Sequence, residues 1–145
     1  MLNESIGSPE DIKYVQDALA EVVRTGTAKR YRSHLVSYAG KTGTAWVVMD
    51  AKYTNGRGGL YRDEDGKRQY QATFVGFYPA DEPKYTAIVT IYSKPTTSSI
   101  YGGTIPALAF KEMVDKTYSL DYRWGNELGR RGRVPEMEAD SHDAG

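Results

Sequence analysis

The first amphipathic segment of the chain predicts an α-helix at about residues 9–24. Ser8 can cap this helix, Pro9 suits the first helical position, and Asp11 stands at the third position of a capping box. Gly26 is a typical helix stop. The apolar positions recur at helical spacing and form one face, which comprises Ile12, Val15, Leu19, Val22 and Val23.

Three later segments are rich in β-branched and aromatic residues and are predicted to be β-strands. They span residues 35–49, 70–78 and 85–92. The polar, glycine-rich stretch 50–67 between the first two strands is predicted to be a long loop or a small hairpin. A short turn at 80–83 joins the second and third strands, which makes these two strands antiparallel.

A second helix is predicted at about residues 104–118, after a loop that ends in Gly102-Gly103. Pro106 is tolerated there because it lies in the first helical turn. The buried face of this helix would comprise Phe110, Met113, Val114 and Thr117. The order helix, three antiparallel strands, helix predicts an α+β fold in which each helix covers part of one sheet face. Residues 121–145 are polar and are interpreted as a solvated tail or linker.

Charge and composition exclude several classes of function. The chain has 19 basic and 19 acidic residues, so it lacks the basic excess of a dedicated nucleic-acid binder, and the basic stretch 29–32 is interpreted as a solvated turn. The absence of cysteine excludes disulfides and thiolate metal sites, and His34 and His142 show no ligand spacing. We therefore do not expect a metal site. The chain carries no signal peptide or membrane-spanning run, and its abrupt start is what a piece of a longer protein would show.

The segment Gly40-Lys41-Thr42-Gly43-Thr44 is the main candidate for chemistry, and its first alternative is phosphate binding. A P-loop needs an earlier glycine where this chain has Leu35, and it needs a helix directly after the motif. Here the strand pattern continues beyond Ala45. The phosphate-binding interpretation therefore fails on both requirements.

The second alternative is acyl transfer, because a Lys-Thr-Gly triplet on a strand is one of three signatures of penicillin-recognising serine enzymes. Lys41 would supply a positive charge for an anionic substrate and for proton shuttling, and Thr42 would offer its hydroxyl to a substrate carboxylate. Gly43 would let a ligand lie against the strand, and the Thr44 backbone N–H would serve as an oxyanion donor. Thr42 and Thr44 share one face by strand alternation. The triplet alone fits an ordinary exposed strand equally well.

Four blocks in order make the pattern more specific. They are "ALAEVVRTGTAKR" at 18–30, "AGKTGTA" at 39–45, "QATFVGFYPADEPKYTAIVTI" at 71–91 and "YGGTIPALAFKEM" at 101–113. Together these blocks resemble the C-terminal part of the transpeptidase domain of class B penicillin-binding proteins, closest to the division-type, septal enzymes. In that family a helix and a Gly-Thr-Ala stretch precede the Lys-Thr-Gly strand, and a Tyr-Gly-Gly segment leads into the last helix.

The resemblance implies a five-stranded antiparallel sheet flanked by helices, of which residues 1–120 would supply three strands. It implies D,D-transpeptidation, which cross-links peptidoglycan stem peptides through an acyl-serine intermediate, and acylation by β-lactam antibiotics. Lys41 and Thr44 would be catalytic, and Thr42, Gly43 and Thr44 would bind substrate. The parent protein would be anchored in the inner membrane, face the periplasm and work with division proteins.

The family's nucleophile motif, Ser-x-x-Lys, is absent from residues 1–145, since no serine is followed by a lysine three positions later. Tyr53-Thr54-Asn55 imitates a second family motif but lies on the wrong side of Lys-Thr-Gly. We therefore expect this chain alone to be inactive and unreactive towards penicillin. The alternatives are a serine β-lactamase or D,D-carboxypeptidase of the same superfamily, or a non-catalytic penicillin-binding-like sensor or binding domain.

Apolar sheet residues that lose family partners should also promote self-association of the isolated chain. The residues in question are Phe74, Val75, Phe77, Ile88, Val89 and Ile91.

Overall fold

The computed structural model describes residues 6–49, 61–96 and 98–120. Its elements are α1 (Pro9–Arg24), β1 (Ala39–Trp46), β2 (Tyr70–Tyr78), β3 (Tyr85–Tyr92) and α2 (Ile105–Leu120), with a short 3-10 helix at Lys29–Tyr31. This order confirms the predicted α+β class. Among the described residues, no helix is both long and apolar enough to cross a membrane. The predicted tail at 121–145 and most of the predicted loop, 50–60, lie outside the described residues.

Helix α1 begins and ends where its sequence signals predicted. The Asp11 backbone N–H donates to Ser8 Oγ at 3.1 Å, and the Ser8 hydroxyl donates to the Asp11 carboxylate at 2.6 Å. At the other end, the N–H groups of Thr25 and Gly26 both donate to the Glu21 carbonyl oxygen. These bonds satisfy terminal backbone groups that an uncapped helix would leave without partners.

The three strands form one antiparallel sheet in the order β1-β2-β3. Lys41 lies opposite Val75, and Val75 lies opposite Ile88, so these residues share one face. We call this face, with Lys41, Gly43, Val75, Phe77, Ile88 and Tyr92, the open face. The opposite face, with Thr42, Thr44, Ala72, Phe74, Tyr78 and Val89, is the covered face.

The hydrophobic core lies between the covered face and α2. Phe74, Phe110 and Val114 are completely buried, and the rings of Phe74 and Phe110 lie 4.8 Å apart. Tyr38 adds a third ring, 5.4 Å from that of Phe110. Of the predicted face of α2, Phe110 and Val114 are therefore central, whereas Met113 only packs against the edge of the core. Phe74 keeps its partners, which corrects the expectation that it would lack them.

Helix α1 covers only one end of the open face. Its residues Ile12, Val15 and Leu19 border a groove of about 250 Å³ against Phe77 of β2. Val23, one turn later, is buried in the core. The prediction of one helix on each face therefore holds only in part, because among residues 6–49, 61–96 and 98–120 no helix lies over most of the open face.

The first strand is shorter than the predicted 35–49 at both ends. Before it, the Ser33 hydroxyl oxygen accepts hydrogen bonds from the N–H groups of Leu35 and Val36, which ties this segment into a turn. After Trp46, one further backbone bond joins the Val47 N–H to the Gln69 carbonyl oxygen. Because the Ser33 hydroxyl bonds this part of the backbone, β1 begins at Ala39 and not at the predicted residue 35.

The turn at residues 63–66 also follows from local chemistry. The Gly66 N–H donates to the Asp63 carbonyl oxygen at 2.9 Å, and Gly66 adopts a φ of 76° that suits glycine. The Asp63 carboxylate accepts hydrogen bonds from the N–H groups of Asp65 and Lys67. This acidic segment is a turn, stabilised by hydrogen bonds within its backbone and by the Asp63 carboxylate.

Candidate active site

The Lys-Thr-Gly segment lies on β1, which has a neighbour on one side only within the described residues. Hydrogen-bonded and non-hydrogen-bonded pairs alternate along an antiparallel ladder. The Val47 N–H bonds to the Gln69 carbonyl oxygen, which fixes that alternation for β1. The N–H and C=O groups of Thr42 and Thr44 therefore point away from β2, towards the free edge of the sheet.

The side chains of the segment divide between the two faces. Thr42 and Thr44 lie on the covered face, as strand alternation predicted, and Lys41 and Gly43 lie on the open face. The Lys41 ammonium group is exposed and donates to the outward-pointing Thr42 carbonyl oxygen at 2.8 Å. The free edge thus carries a backbone donor at Thr44 with a cation beside it.

Packing within the described part of the chain does not require glycine at position 43. A Cβ built there would meet Thr73 Cβ at 3.8 Å, which is an ordinary contact. At Gly40, by contrast, a Cβ would lie 2.4 Å from the Val75 carbonyl oxygen, so the fold itself excludes a side chain. The missing side chain at Gly43 leaves the outer surface of the strand open to a ligand.

A Gly102-Gly103 loop supports the segment from the covered face. The Gly102 N–H donates to Thr44 Oγ1 at 3.0 Å. A Cβ at Gly102 would lie 2.3 Å from the Thr73 carbonyl oxygen and 2.4 Å from that of Gly43, so only glycine can approach this closely. The sequence predicts that this glycine pair lies in a loop. Its contact with Thr44, 58 residues earlier, could not be predicted, because no local sequence pattern indicates it.

Thr27 is a second residue beside the candidate site that the Lys-Thr-Gly motif does not indicate. Its Oγ1 lies 3.1 Å from Thr42 Oγ1, and its backbone contacts the same glycine loop, because a Cβ at Gly103 would lie 2.7 Å from the Thr27 carbonyl oxygen. Thr27 belongs to the Gly-Thr-Ala stretch that carried part of the family resemblance. That stretch was the one signal in the sequence that could have indicated a place beside the strand.

The far end of the strand is held by an aromatic and cationic cluster. The Arg68 guanidinium lies 3.8 Å from the centre of the Trp46 ring, and the Tyr61 ring lies 5.9 Å from that ring on centroids. Arg68 is itself fixed by paired backbone hydrogen bonds with Thr96. These contacts anchor β1 two residues beyond Thr44.

Two groups whose pKa values are raised lie in α2 and in the segment before β1. Burial raises the pKa of Tyr38, and the nearby Asp115 charge raises it further, while the Tyr38 hydroxyl donates to the Tyr31 carbonyl oxygen. A hydrogen bond with Asp115 raises the pKa of Lys111. These groups stabilise the fold between α2 and the segment before β1. Among the described residues, no cluster of metal-ligand side chains is present.

The geometry suits a substrate that carries a carbonyl group and a negative charge. The Thr44 N–H can donate to a developing oxyanion, Lys41 supplies a cation, and Gly43 permits close approach. Three comparisons with known proteins bear on the family of the chain. The first is a family model described as the penicillin-binding protein transpeptidase domain, which matches residues 2–115.

Curated proteins with similar sequences bear related names. The probable peptidoglycan D,D-transpeptidase PenA of Neisseria flavescens is 34% identical over 108 residues, which are 68% of this chain and 26% of that protein. Penicillin-binding protein H of Bacillus subtilis is 39% identical over 64% of this chain and 12% of its own length. The peptidoglycan D,D-transpeptidase FtsI of Buchnera aphidicola is 31% identical over 83% and 19%, respectively. The chain thus spans about a quarter or less of these relatives.

A solved structure has the same fold. The transpeptidase domain of the FtsI4 D,D-transpeptidase from Legionella pneumophila matches with a TM-score of 0.54 and 28% identity, over 79% of this chain and 38% of that one. The two helices and three-stranded antiparallel sheet are therefore part of a transpeptidase domain.

Proposed function

Because the chain belongs to the penicillin-binding protein transpeptidase family, we propose that it forms the Lys-Thr-Gly wall of the active site of a peptidoglycan D,D-transpeptidase. The observation that carries this proposal is the backbone N–H of Thr44, which points outwards from a free sheet edge beside Lys41 and Gly43. The names of the relatives PenA and FtsI support transpeptidation over the alternatives of β-lactamase or D,D-carboxypeptidase.

The proposed reaction proceeds through an acyl-serine. A serine outside this chain attacks a carbonyl carbon of the stem peptide, a C–O bond forms, the amide C–N bond breaks, and the leaving amine takes up a proton. An amine of a second stem peptide then attacks the acyl carbon, a new amide C–N bond forms as the ester C–O bond breaks, and a proton of the amine passes to the serine oxygen. The Thr44 N–H donates to the oxyanion in both steps, a contribution of about 10²–10³ in rate for one donor.

The neighbouring residues take separate roles in the proposal. Lys41 attracts the anionic substrate and assists proton transfer among the hydroxyl groups around it. Thr42 donates its hydroxyl to the substrate carboxylate. Gly43 lets the substrate lie along the edge of β1, where a side chain would obstruct it. A β-lactam would use the same contacts and remain attached as an acyl-serine.

Residues 1–145 contain no Ser-x-x-Lys motif, so we expect this chain alone neither to turn over substrate nor to react covalently with penicillin. The test is incubation with a fluorescent penicillin followed by a denaturing gel. A labelled band at 16.2 kDa would contradict the assignment of the nucleophile to another segment.

The matched experiment uses the longer protein that carries this chain together with a Ser-x-x-Lys segment. We expect it to be labelled, and we expect Lys41→Ala to lower the labelling rate by about 10² or more, the usual size of an acid–base contribution. Penicillin that binds reversibly without forming a covalent product would instead support the non-catalytic sensor.

The same proposal covers location and partners. The parent protein would be anchored in the inner membrane with this domain facing the periplasm, and it would act with cell-wall and division proteins on stem peptides. It would need no cofactor, and the neutral net charge of this chain gives no support for a nucleic-acid partner. Residues 1–120 would be the transpeptidase portion and 121–145 a tail or linker. In isolation, the chain would self-associate through exposed sheet surface.

A further inference from the structure

The hydroxyl group of Thr27 faces that of Thr42 across a gap of 3.1 Å. Thr42 is the residue to which the proposed function assigns the substrate carboxylate, so this inference rests on that function. Thr27 comes from the turn after α1, fifteen positions before its neighbour on β1. The contact therefore depends on how the turn is held against the strand.

That turn is fixed from two directions. The N–H groups of Gly26 and Ala28 donate to carbonyl oxygens in the last turn of α1, at 3.0 and 3.1 Å. From the other side, Gly103 packs against the Thr27 carbonyl oxygen so closely that a Cβ there would lie 2.7 Å from it. The Thr27 backbone is thus held on both sides, while the residue itself remains exposed to solvent.

Either hydroxyl could donate the hydrogen bond between Thr27 and Thr42, and the choice of donor decides whether Thr42 can also donate to a ligand. A carboxylate only accepts hydrogen bonds, and each threonine hydroxyl has one proton to donate. If Thr42 donates to Thr27, its proton is not available to the substrate. If Thr27 donates to Thr42, the Thr42 proton is free to point towards the carboxylate.

We propose that Thr27 is a positioning residue that donates to Thr42 Oγ1 and thereby directs the Thr42 proton to the carboxylate of the substrate or β-lactam. Thr27 acts through its neighbour and contributes to recognition of the anionic group. Its effect should therefore depend on whether the ligand carries a free carboxylate.

The test uses the longer protein with its nucleophile and measures the second-order rate constant of acylation. Thr27→Val keeps the shape of the side chain and removes the hydroxyl. We expect it to slow acylation by a penicillin by about three- to tenfold, because Thr42 loses the donor that orients its proton, and one hydrogen bond between neutral groups contributes about this factor. With the methyl ester of the same penicillin we expect a change of less than about twofold, because the ester carries no carboxylate charge.

Two further variants separate this role from a structural one. Thr27→Ser restores the hydroxyl and should recover the wild-type rate with both ligands. Thr25→Val is the matched control, because the Thr25 hydroxyl donates to the Glu21 carboxylate at 2.5 Å and takes no part in the pair. It should leave both rates unchanged.

Equal losses for the acid and the ester in Thr27→Val would overturn the proposal, as would no loss with either ligand. A thermal melt of residues 1–145 carrying the same substitution checks that the variant folds. A wild-type longer protein that no penicillin acylates would contradict the proposed function, whereas the pattern among variants tests Thr27 alone.

Discussion

The two faces of the sheet differ in how completely the described residues cover them. On the covered face, Phe74 is completely buried against Phe110 of α2. On the open face, the directly paired residues Val75 and Ile88 are 41% and 66% exposed. The covered face thus has its own hydrophobic core, whereas the open face presents apolar side chains that a further part of a domain would ordinarily bury. The candidate site lies where the two faces meet, with Thr44 fixed from the covered side and Lys41 on the open side.

The two edges of the sheet differ in a related way. The resemblance to transpeptidases implies five strands, of which this chain supplies three. The Ser93 N–H bonds to the Tyr70 carbonyl oxygen, so by alternation the backbone groups of Ile88 and Thr90 point away from β2. Because the β1 edge must stay free for substrate in the proposed function, we expect the remaining strands to pair with β3.

The largest expected effect comes from the core of the covered face. Phe110→Ala should lower the free energy of unfolding by about 3–5 kcal/mol, because it leaves a cavity beside Phe74 and Tyr38. Ile88→Ala, on the open face, removes a large apolar side chain that is already mostly in water, and should cost less than about 1 kcal/mol. Urea unfolding followed by circular dichroism measures both. Equal losses would mean that the two faces are covered alike in solution.

The difference between the faces also explains what could be predicted from the sequence. Both helices and the second and third strands follow from caps, turns and periodicity, which are local signals. The predicted start of the first strand was wrong, because the Ser33 hydroxyl accepts a hydrogen bond from the Leu35 backbone N–H. This hydroxyl is in turn held by Asp115, 82 residues away, which no local sequence pattern indicates. Lys41 to Thr44 could be proposed as site residues from their motif. Thr27 and Gly102 could not, since their contacts with β1 exist only after the chain has folded.

The next expected effect compares Gly102, which packs against β1 from the covered face, with Gly43, which belongs to β1 and lies on the open face. Gly102→Ala should destabilise the fold by about 1–3 kcal/mol, because the new Cβ would overlap backbone oxygens of Thr73 and Gly43. Gly43→Ala should change stability by less than about 0.5 kcal/mol, because its Cβ has room on the open face. Thermal and urea unfolding of residues 1–145 compare the two variants.

In the longer protein, Gly43→Ala and Gly102→Ala should also differ in acylation by penicillin. Gly43→Ala should fold normally and yet slow acylation by penicillin, because the new methyl group occupies the surface along which the ligand lies. If Gly43→Ala proves as destabilising as Gly102→Ala, the glycine at position 43 serves internal packing and not a ligand surface.

The smallest expected effect on stability, and the most direct test of the open face, is Ile88→Thr. Threonine suits a strand, so the free energy of unfolding should change by about 0.5 kcal/mol or less. Self-association should nevertheless weaken, because the substitution removes the most exposed apolar side chain of the central β2–β3 pairs and places a hydroxyl beside Val75. Light scattering at high concentration measures the mean mass of wild type and variant. Thr86→Ser, on the same face of β3, is the control and should associate like wild type. A wild-type chain that remains monomeric at high concentration would show that the exposed residues on this face are too few to hold two copies together.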